Sequence, residues 1–211
     1  MPETPSPDER LQQEFNRWAE AGEGEKMERH HLDITEKTIR LMDLRPGERV
    51  LDLGCGSGWA TRLLARLVAD GPEGFGQVVG VDVSDEMIRQ ARAASKDFEN
   101  ILYVWGSAEK IPWEENFFDK MLSVESFYYY PDQDRALAEL FCVMAPERDF
   151  CEAAMVLLVL IFVGVVPTRL GHRQRTEQRQ ARHKAQPGFD CFAHKASSFW
   201  RIVQGLMGAH K

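Results

Sequence analysis

The chain of 211 residues is 44% hydrophobic and 28% charged, which suits one globular domain with a sizeable core. Its charge is uneven: the part from Arg148 onward has ten Lys/Arg against four Asp/Glu, a net +6, and the part before it carries −13. Because phosphate attraction needs a basic face, we expect no nucleic acid as partner of this acidic main part.

The cysteines and the N-terminus bear on metal binding, disulfides and the cellular compartment. The four cysteines have neither a CxxC nor a zinc-ligand spacing, so we expect no metal site and no disulfide framework. The first residues are polar and lack the apolar segment of a signal peptide. We therefore expect a cytoplasmic protein.

The first 46 residues predict helices behind a short leader. Residues 1–9, rich in proline and acid, are expected to be disordered. A short helix is predicted over Leu11–Ala21, ended by Gly22 and Gly24, and a second over Glu25–Leu44. The residues singled out on these two helices are Phe15, Trp18, Met27, His30 and His31.

The stretch VLDLGCGSGW, residues 50–59, organises the rest of the chain. Val50, Leu51 and Leu53 predict a short buried parallel strand. Three glycines at alternate positions let the backbone turn sharply and approach a ligand without a Cβ in the way. Apolar residues then recur at helical spacing up to Val68. Strand, glycine turn and helix predict the first βα unit of a nucleotide-binding sheet.

Two classes of ligand use such a turn. A dinucleotide site usually has GxGxxG, with the pyrophosphate at the helix N-terminus, as in a dinucleotide-dependent oxidoreductase. Here the spacing is GxGxG, and Trp59 takes the place of the third glycine. Asp52 precedes the turn, where its charge disfavours a pyrophosphate and suits an ammonium or a sulfonium. The pattern favours a cationic ligand.

A second predicted strand, Val78–Asp82, ends in an acid. A carboxylate at this place can accept hydrogen bonds from both hydroxyls of a ribose. The alternative is that Asp82 only caps the next helix, although Ser84 is the better cap by position. We expect the ribose role.

The remaining core elements alternate between helix and strand. A helix over Asp85–Lys96, strands over Ile101–Val104 and Phe118–Val124, and a helix over Asp134–Met144 complete the pattern. Ligands of open α/β sheets lie outside the carboxyl ends of the strands. The segment that follows the last strand, Glu125-Ser126-Phe127-Tyr128-Tyr129-Tyr130, is therefore expected at the site.

Three segments of this core resemble the class I S-adenosylmethionine-dependent methyltransferases: VLDLGCGSG, VVGVDVSDEMIRQAR and WGSAEKIPWEENFFDKMLSVESFYYYPD. The resemblance covers about residues 50–146 and is to the small-molecule branch that includes the ubiquinone-biosynthesis methyltransferases. It implies an α/β, Rossmann-like doubly wound sheet with helices on both faces. Residues 47–146 would be the cofactor-binding core, and residues 10–46 a helical lid over it.

The resemblance also implies S-adenosylmethionine as cofactor and a small-molecule methyl acceptor as partner. Met87 resembles the apolar residue that packs on the adenine, with plain core packing as its alternative. Ser107 stands where the family often has an acid or amide that contacts the adenine amino group, so its hydroxyl or the Ala108 amide is expected there. The expected cofactor-binding residues are Asp52, Gly54, Cys55, Gly56, Gly58, Asp82, Val83, Met87, Ser107 and Ala108.

Methyl transfer from a sulfonium needs few catalytic side chains. The sulfonium loses its charge in the transition state, so a water-excluding aromatic pocket helps, and most of the rate comes from aligning acceptor, methyl and sulfur. A general base is needed only where the acceptor loses a proton. The candidates are Glu125 and Tyr128. The alternative is that the tyrosines simply cover the next helix.

After Pro146 the chain departs from the family, which continues with a Pro-Gly-Gly turn, a fifth strand and a β-hairpin. Residues 147–211 instead hold an apolar run, 153–166, and a basic polar segment. The run is shorter than the roughly 20 residues that a transmembrane helix needs, so no membrane span is expected. We hypothesise a frameshift or alternative exon, with atypical or incomplete C-terminal strands. The alternative function is a catalytically silent chain that at most binds the cofactor.

Overall fold

Four parallel strands form one sheet in the computed structural model, which describes residues 5–70 and 74–145. The strands are β1 Arg49–Leu53, β2 Gln77–Asp82, β3 Ile101–Trp105 and β4 Lys120–Leu122. The helices are α1 Pro7–Glu20, α2 Glu23–Leu41, α3 Trp59–Val68, α4 Asp85–Ala94 and α5 Gln133–Val143. The predictions for residues 146–211 lie outside the described residues.

The strand order β3-β2-β1-β4 places β1 inside the sheet. Leu51 of β1 lies opposite Val79 of β2 on one side and Met121 of β4 on the other. The chain winds outward from β1 to β3 and then crosses back to β4, which creates a topological switch point between β1 and β4. This is the predicted Rossmann-like arrangement, which is confirmed.

The sheet carries helices on both faces because alternate residues of β1 point in opposite directions. Leu51 and Leu53 belong to a buried cluster with Leu140 of α5. Val50 belongs to a second cluster with Leu64 of α3. The uninterrupted apolar strand is therefore buried on both sides, as expected for a parallel sheet covered by helices.

The first helix begins earlier than the sequence suggested. Ser6 and Glu9 form a capping box: the Glu9 amide donates to the Ser6 hydroxyl at 3.2 Å, and the Ser6 amide donates to the Glu9 carboxylate at 2.6 Å. Pro7 occupies the first helical position, where its missing N–H costs nothing. The prediction of a disordered leader through residue 9 is therefore wrong from Pro7 onward.

The boundaries of the second helix are also corrected. Gly22 precedes α2 in the left-handed conformation, with φ of 71°, but Gly24 lies inside the helix and does not end one. A Cβ on Gly24 would lie 3.0 Å from the Ser57 hydroxyl, so the start of α2 packs closely on the glycine turn. The helix ends at Leu41, three residues before the predicted end at Leu44.

Helix α1 is held against the start of α4 by side chains. The Ser84 hydroxyl donates to Asn16 Oδ1 at 2.6 Å, and the Asn16 amide donates to Asp85 Oδ1 at 2.8 Å. Gln12 donates to the same Asp85 oxygen at 2.8 Å. These bonds place α1 next to the end of β2. Within the described part of the chain, no helix has the length and apolar character needed to cross a membrane.

Candidate functional site

The glycine turn after β1 is fastened to the end of β2. The amides of Gly54 and Cys55 both donate to the Val81 carbonyl, at 2.8 and 3.1 Å. Gly54 has φ of 75°, and a Cβ there would lie 2.4 Å from the Ser126 Cβ. Only glycine can therefore occupy this position while the segment after β4 stays in place.

Asp82 lies at the end of β2 with each carboxylate oxygen bound to a backbone amide. Gly56 donates to Oδ2 and Ser84 to Oδ1, both at 2.8 Å. Burial raises the pKa of Asp82, and these amides oppose the rise. Ser84 is the actual cap of α4, since its hydroxyl accepts from the Met87 amide at 3.0 Å. The alternative that Asp82 merely caps this helix is therefore wrong.

Asp52, in β1, is buried with one side-chain donor. The Thr61 hydroxyl donates to its Oδ2 at 2.6 Å. Burial raises the pKa of Asp52 to about 7; the Thr61 hydrogen bond opposes the rise, and the charge of Asp82 adds to it. Because a nearby cation favours the charged form of a carboxylate, a cationic ligand beside Asp52 would restore its ionisation.

A cavity with about 1020 Å³ of empty space, part of it open to solvent, lies outside the carboxyl ends of the strands. This is the place at which open α/β sheets bind their ligands. Helices α1 and α2 cover it with apolar side chains, and the segment after β4 forms the opposite side. The covering residues are Leu11, Phe15, Trp18, Gly24 and Met27, and the opposite side includes Glu125, Ser126, Tyr129 and Tyr130.

The structure brings nine of the ten expected cofactor-binding residues to this cavity. Gly58 is not among the lining residues. It begins α3 with φ of 75°, and a Cβ there would lie 2.2 Å from the Tyr103 hydroxyl, which explains this glycine by packing. The nine lining residues are Asp52, Gly54, Cys55, Gly56, Asp82, Val83, Met87, Ser107 and Ala108.

The two catalytic candidates lie in different surroundings. Glu125 lines the cavity with its side chain 10% exposed and has φ of 51°, a backbone conformation that is rare outside glycine. Tyr128 does not line the cavity and is 48% exposed, which argues against the predicted catalytic role of Tyr128. Its hydroxyl donates to Glu125 Oε2 at 2.9 Å, and burial, with this bond, raises the pKa of Tyr128.

Of the candidates on α2, only Met27 lines the cavity. His30 and His31 do not, although His31 Nε2 lies 3.9 Å from Glu125 Oε1. The other nitrogen of His31 is 2.9 Å from the Met27 carbonyl, so that nitrogen carries the proton. His31 therefore lies just behind Glu125 rather than in the cavity wall.

Several lining residues were missed as site residues. Leu11 lines the cavity beside Phe15 and Trp18, and their spacing of i, i+4 and i+7 is a signal that the sequence does contain. Glu23 and Glu109 also line the cavity. Glu109 directly follows the expected site residues Ser107 and Ala108 after β3, and that adjacency is a signal in the sequence. No sequence pattern marks Glu23, because only the packing of α2 over the strand ends brings it to the cavity.

The chain resembles known proteins over this same region. A family model described as a methyltransferase domain matches residues 50–147. The ubiquinone/menaquinone biosynthesis C-methyltransferase UbiE of Legionella pneumophila (strain Paris) is 38% identical over 120 residues, which are 56% of this chain and 46% of that protein. The UbiE of Vibrio campbellii is 34% identical over 112 residues, 52% of this chain and 42% of that protein.

Solved structures agree. The methyltransferase in a complex with the Trm112 methyltransferase activator of Haloferax volcanii has a TM-score of 0.59 and 31% identity, over 64% of this chain and 57% of that chain. A SAM-dependent methyltransferase from Aquifex aeolicus has a TM-score of 0.51 and 26% identity, over 58% of this chain and 68% of that chain.

The fold and the cavity define a Rossmann-like domain with a candidate ligand site at the carboxyl ends of β1 and β2. Residues 50–147 match the methyltransferase-domain family model, and the chain is similar over about half of its length to class I S-adenosylmethionine-dependent methyltransferases. The expected family resemblance is confirmed. The chain spans about half the length of the curated relatives it matches.

Proposed function

We propose that this chain transfers a methyl group from S-adenosylmethionine to a small-molecule acceptor. The observation that carries the proposal is one cavity in which two buried carboxylates, Asp52 and Asp82, lie beside a glycine turn under two covering helices. The C-methyltransferase name of the UbiE relatives supports it, since 120 residues of this chain are 38% identical to one of them.

The cofactor roles follow from the surroundings of each residue. Asp82 has both oxygens oriented by backbone amides and keeps a second lone pair on each for the ribose hydroxyls. Asp52 places negative charge next to the cationic part of the cofactor. Met87 packs on the adenine, and Ser107 or Ala108 contacts its edge. Cys55 and Val83 complete the wall beside the turn.

S-adenosylmethionine supplies a methyl group on a positively charged sulfur. The chain's part is to hold the acceptor in line with that group and to exclude water, which helices α1 and α2 do by covering the cavity. For an acceptor that must lose a proton, Glu125 is the carboxylate placed to take it, because it lines the cavity at the end of β4.

Calorimetric titration of the purified chain with S-adenosylmethionine tests the cofactor site. We expect saturable binding, weakened at least about tenfold in Asp82→Ala, which loses hydrogen bonds to a charged acceptor. Asp97→Ala is the matched control, because Asp97 is an exposed acid outside the cavity. A folded chain that does not bind, or an Asp82→Ala variant that binds as well as Asp97→Ala, would contradict the proposal.

A second candidate is a chain that binds the cofactor without turnover. The observation that favours it is the coverage of the relatives, of which this chain matches 46% or less of the whole length. Formation of S-adenosylhomocysteine in the presence of small-molecule acceptors separates the two functions. Binding without any such formation over a broad acceptor panel would support the silent alternative.

A further inference from the structure

Three aromatic rings form one wall of the cavity, which we name the aromatic corner: Phe15, Trp18 and Tyr129. Their centroids lie 5.2 Å apart for Phe15 and Trp18, 5.1 Å for Phe15 and Tyr129, and 6.0 Å for Trp18 and Tyr129. The rings are steeply inclined to one another, at 68°, 89° and 83°. Rings inclined in this way cannot all turn their positive edges toward the same point, and a ring face that is turned to the cavity attracts an ammonium group.

A buried negative charge adjoins this corner. Glu125 lines the cavity with only 10% of its side chain exposed, and Tyr128 connects it to the corner. The Tyr128 hydroxyl donates to Glu125 at 2.9 Å, and its ring lies 4.4 Å from that of Tyr129. His31 Nε2 lies 3.9 Å from Glu125 Oε1, and it can neutralise the carboxylate only when protonated.

The charge of the whole wall has one sign. Among the described residues that line the cavity there is no Lys or Arg, whereas Glu23 and Glu109 add to Glu125. Glu23 is paired with Lys26, so its charge is partly balanced. Asp52 and Asp82 lie at the turn, where the cofactor binds under the proposed function. Glu125, in the segment after β4, is therefore an acid of the acceptor side that no Lys or Arg of the described cavity wall faces.

We propose that the acceptor is recognised through an ammonium group that lies against the aromatic corner, with Glu125 as its counter-charge. This inference rests on the proposed function, because it concerns the acceptor end of the same cavity. It predicts that amine-bearing acceptors bind better than neutral ones and that carboxylates and phosphates are excluded, because Glu125 repels them. Glu125 is then a specificity-determining residue.

The sulfonium of the cofactor is a second cation that could use the same rings. An experiment can distinguish the acceptor ammonium from the cofactor sulfonium, because S-adenosylhomocysteine lacks the sulfonium charge. If the corner serves the acceptor, Tyr129→Leu weakens binding of an ammonium probe and leaves the ratio of S-adenosylmethionine to S-adenosylhomocysteine affinities unchanged.

Three matched probes test the inference on the full chain saturated with S-adenosylhomocysteine at pH 8, where histidine is ordinarily neutral. Choline carries the ammonium, 3,3-dimethylbutan-1-ol is its uncharged equivalent, and 3,3-dimethylbutanoate is an anion of similar shape. We expect choline to bind about tenfold more tightly than the alcohol, and the anion not to bind. Glu125→Gln should remove this preference, and Glu36→Gln, an exposed acid on α2, should keep it.

Binding of S-adenosylhomocysteine reports whether each variant is folded and whether the cofactor site exists. If the wild-type chain does not bind it, the proposed function fails and this inference with it. If it binds but choline and the alcohol bind equally, only this inference is overturned. A preference that survives in Glu125→Gln, or a Tyr129→Leu variant that loses affinity for S-adenosylmethionine alone, also overturns it.

Discussion

The two buried acids of the site differ in how many donors hold them. Asp82 accepts from the backbone amides of Gly56 and Ser84, whereas the donors to Asp52 come from one residue, Thr61, chiefly through its hydroxyl at 2.6 Å. Backbone amides stabilise a carboxylate strongly, so burial is better compensated at Asp82. Asp52 is therefore the acid whose charge depends most directly on what occupies the cavity.

This difference predicts a pH-dependent affinity for S-adenosylmethionine. The pKa of Asp52 in the ligand-free chain is about 7, so at pH 6 the group is mostly protonated and at pH 8 mostly ionised. A cationic ligand binds the ionised form better, and we expect affinity to rise by about tenfold from pH 6 to pH 8. Calorimetry at the two pH values measures this.

The control for this prediction is Asp52→Asn, which keeps an acceptor for Thr61 but cannot ionise. Titration of the ligand itself affects both proteins equally, so the ratio of their affinities isolates Asp52. A ratio that does not change between pH 6 and pH 8 would show that Asp52 does not face the cationic part of the cofactor.

Two glycines of the turn form a matched pair for stability. Gly56 and Gly58 both have positive φ, 51° and 75°, but only a Cβ on Gly58 meets other atoms, with the Tyr103 hydroxyl at 2.2 Å. Gly56→Ala should cost about 1–2 kcal/mol in free energy of unfolding, from the left-handed backbone alone. Gly58→Ala should cost more, by about 1–3 kcal/mol of overpacking. Urea unfolding of both variants measures their free energies of unfolding. Equal losses in Gly56→Ala and Gly58→Ala would contradict the packing role of Gly58.

At the scale of elements, Asn16 of α1 makes two of the hydrogen bonds that hold this helix to the start of α4. Asn16 accepts from the Ser84 hydroxyl and donates to Asp85, and both partners stand at the start of α4. The same helix places Phe15 and Trp18 in the cavity wall. The position of the wall therefore depends on Asn16.

Asn16→Ala should loosen α1 without unfolding the sheet. The loss of these bonds, each worth about 1 kcal/mol, should speed amide hydrogen exchange in α1 and weaken S-adenosylmethionine binding by about tenfold or less. Gln13→Ala is the control, because Gln13 is exposed on the same helix. Faster exchange throughout β1 and β2 would mean that the variant disturbs the whole core and not α1.

The boundaries of α1 and α2 show why local sequence patterns predicted the helix ends only in part. The sequence contains the capping box Ser6-x-x-Glu9, which marks a helix start at Pro7, whereas apolar periodicity alone predicts the start at Leu11. Gly24 is different, because its helical conformation depends on the close packing of α2 on Ser57, a contact between distant parts of the chain. Local signals determine a helix start, but tertiary contacts can keep a glycine inside a helix.

At the scale of the whole molecule, the buried acid costs stability. Asp52 has a folded-state pKa of about 7, above its ordinary value, so between about pH 4 and pH 7 the folded chain holds a proton that the unfolded chain has lost. The contribution of Asp52 to the free energy of unfolding is largest below about pH 4, falls as the pH rises from about 4 to about 7, and is constant at higher pH. The total loss is about 4 kcal/mol.

Asp52→Asn should therefore stabilise the ligand-free chain at pH 8 and have little effect at pH 4. The free energy of unfolding of both proteins, from urea titrations at pH 4, 6 and 8, measures the difference. Saturating S-adenosylmethionine should offset part of the wild-type cost, because it binds only the folded state. A difference between variant and wild type that is the same at all three pH values would contradict this account.

The sequence by itself determined the core of this protein. The apolar run VLDL, the glycine turn and the acid after Val78–Val81 specify strand, turn and strand end through short-range physics, and neighbouring parallel strands then bring Asp52 and Asp82 to one edge. Asp52, Gly54, Gly56 and Asp82 line the cavity for this reason, whereas Met87, Ser107 and Ala108, which also line it, were expected from the family resemblance.

Only the tertiary structure decided what covers that edge. Phe15, Trp18 and Glu23 reach the cavity because α1 and α2 pack over the strand ends, and the spacing within each helix does not say against which part of the sheet the helix packs. The same holds for Tyr128, whose neighbour Tyr129 lines the cavity while Tyr128 turns outward to bind Glu125. Strand ends follow from periodicity and glycine, whereas the facing of side chains across separate elements follows from long-range packing alone.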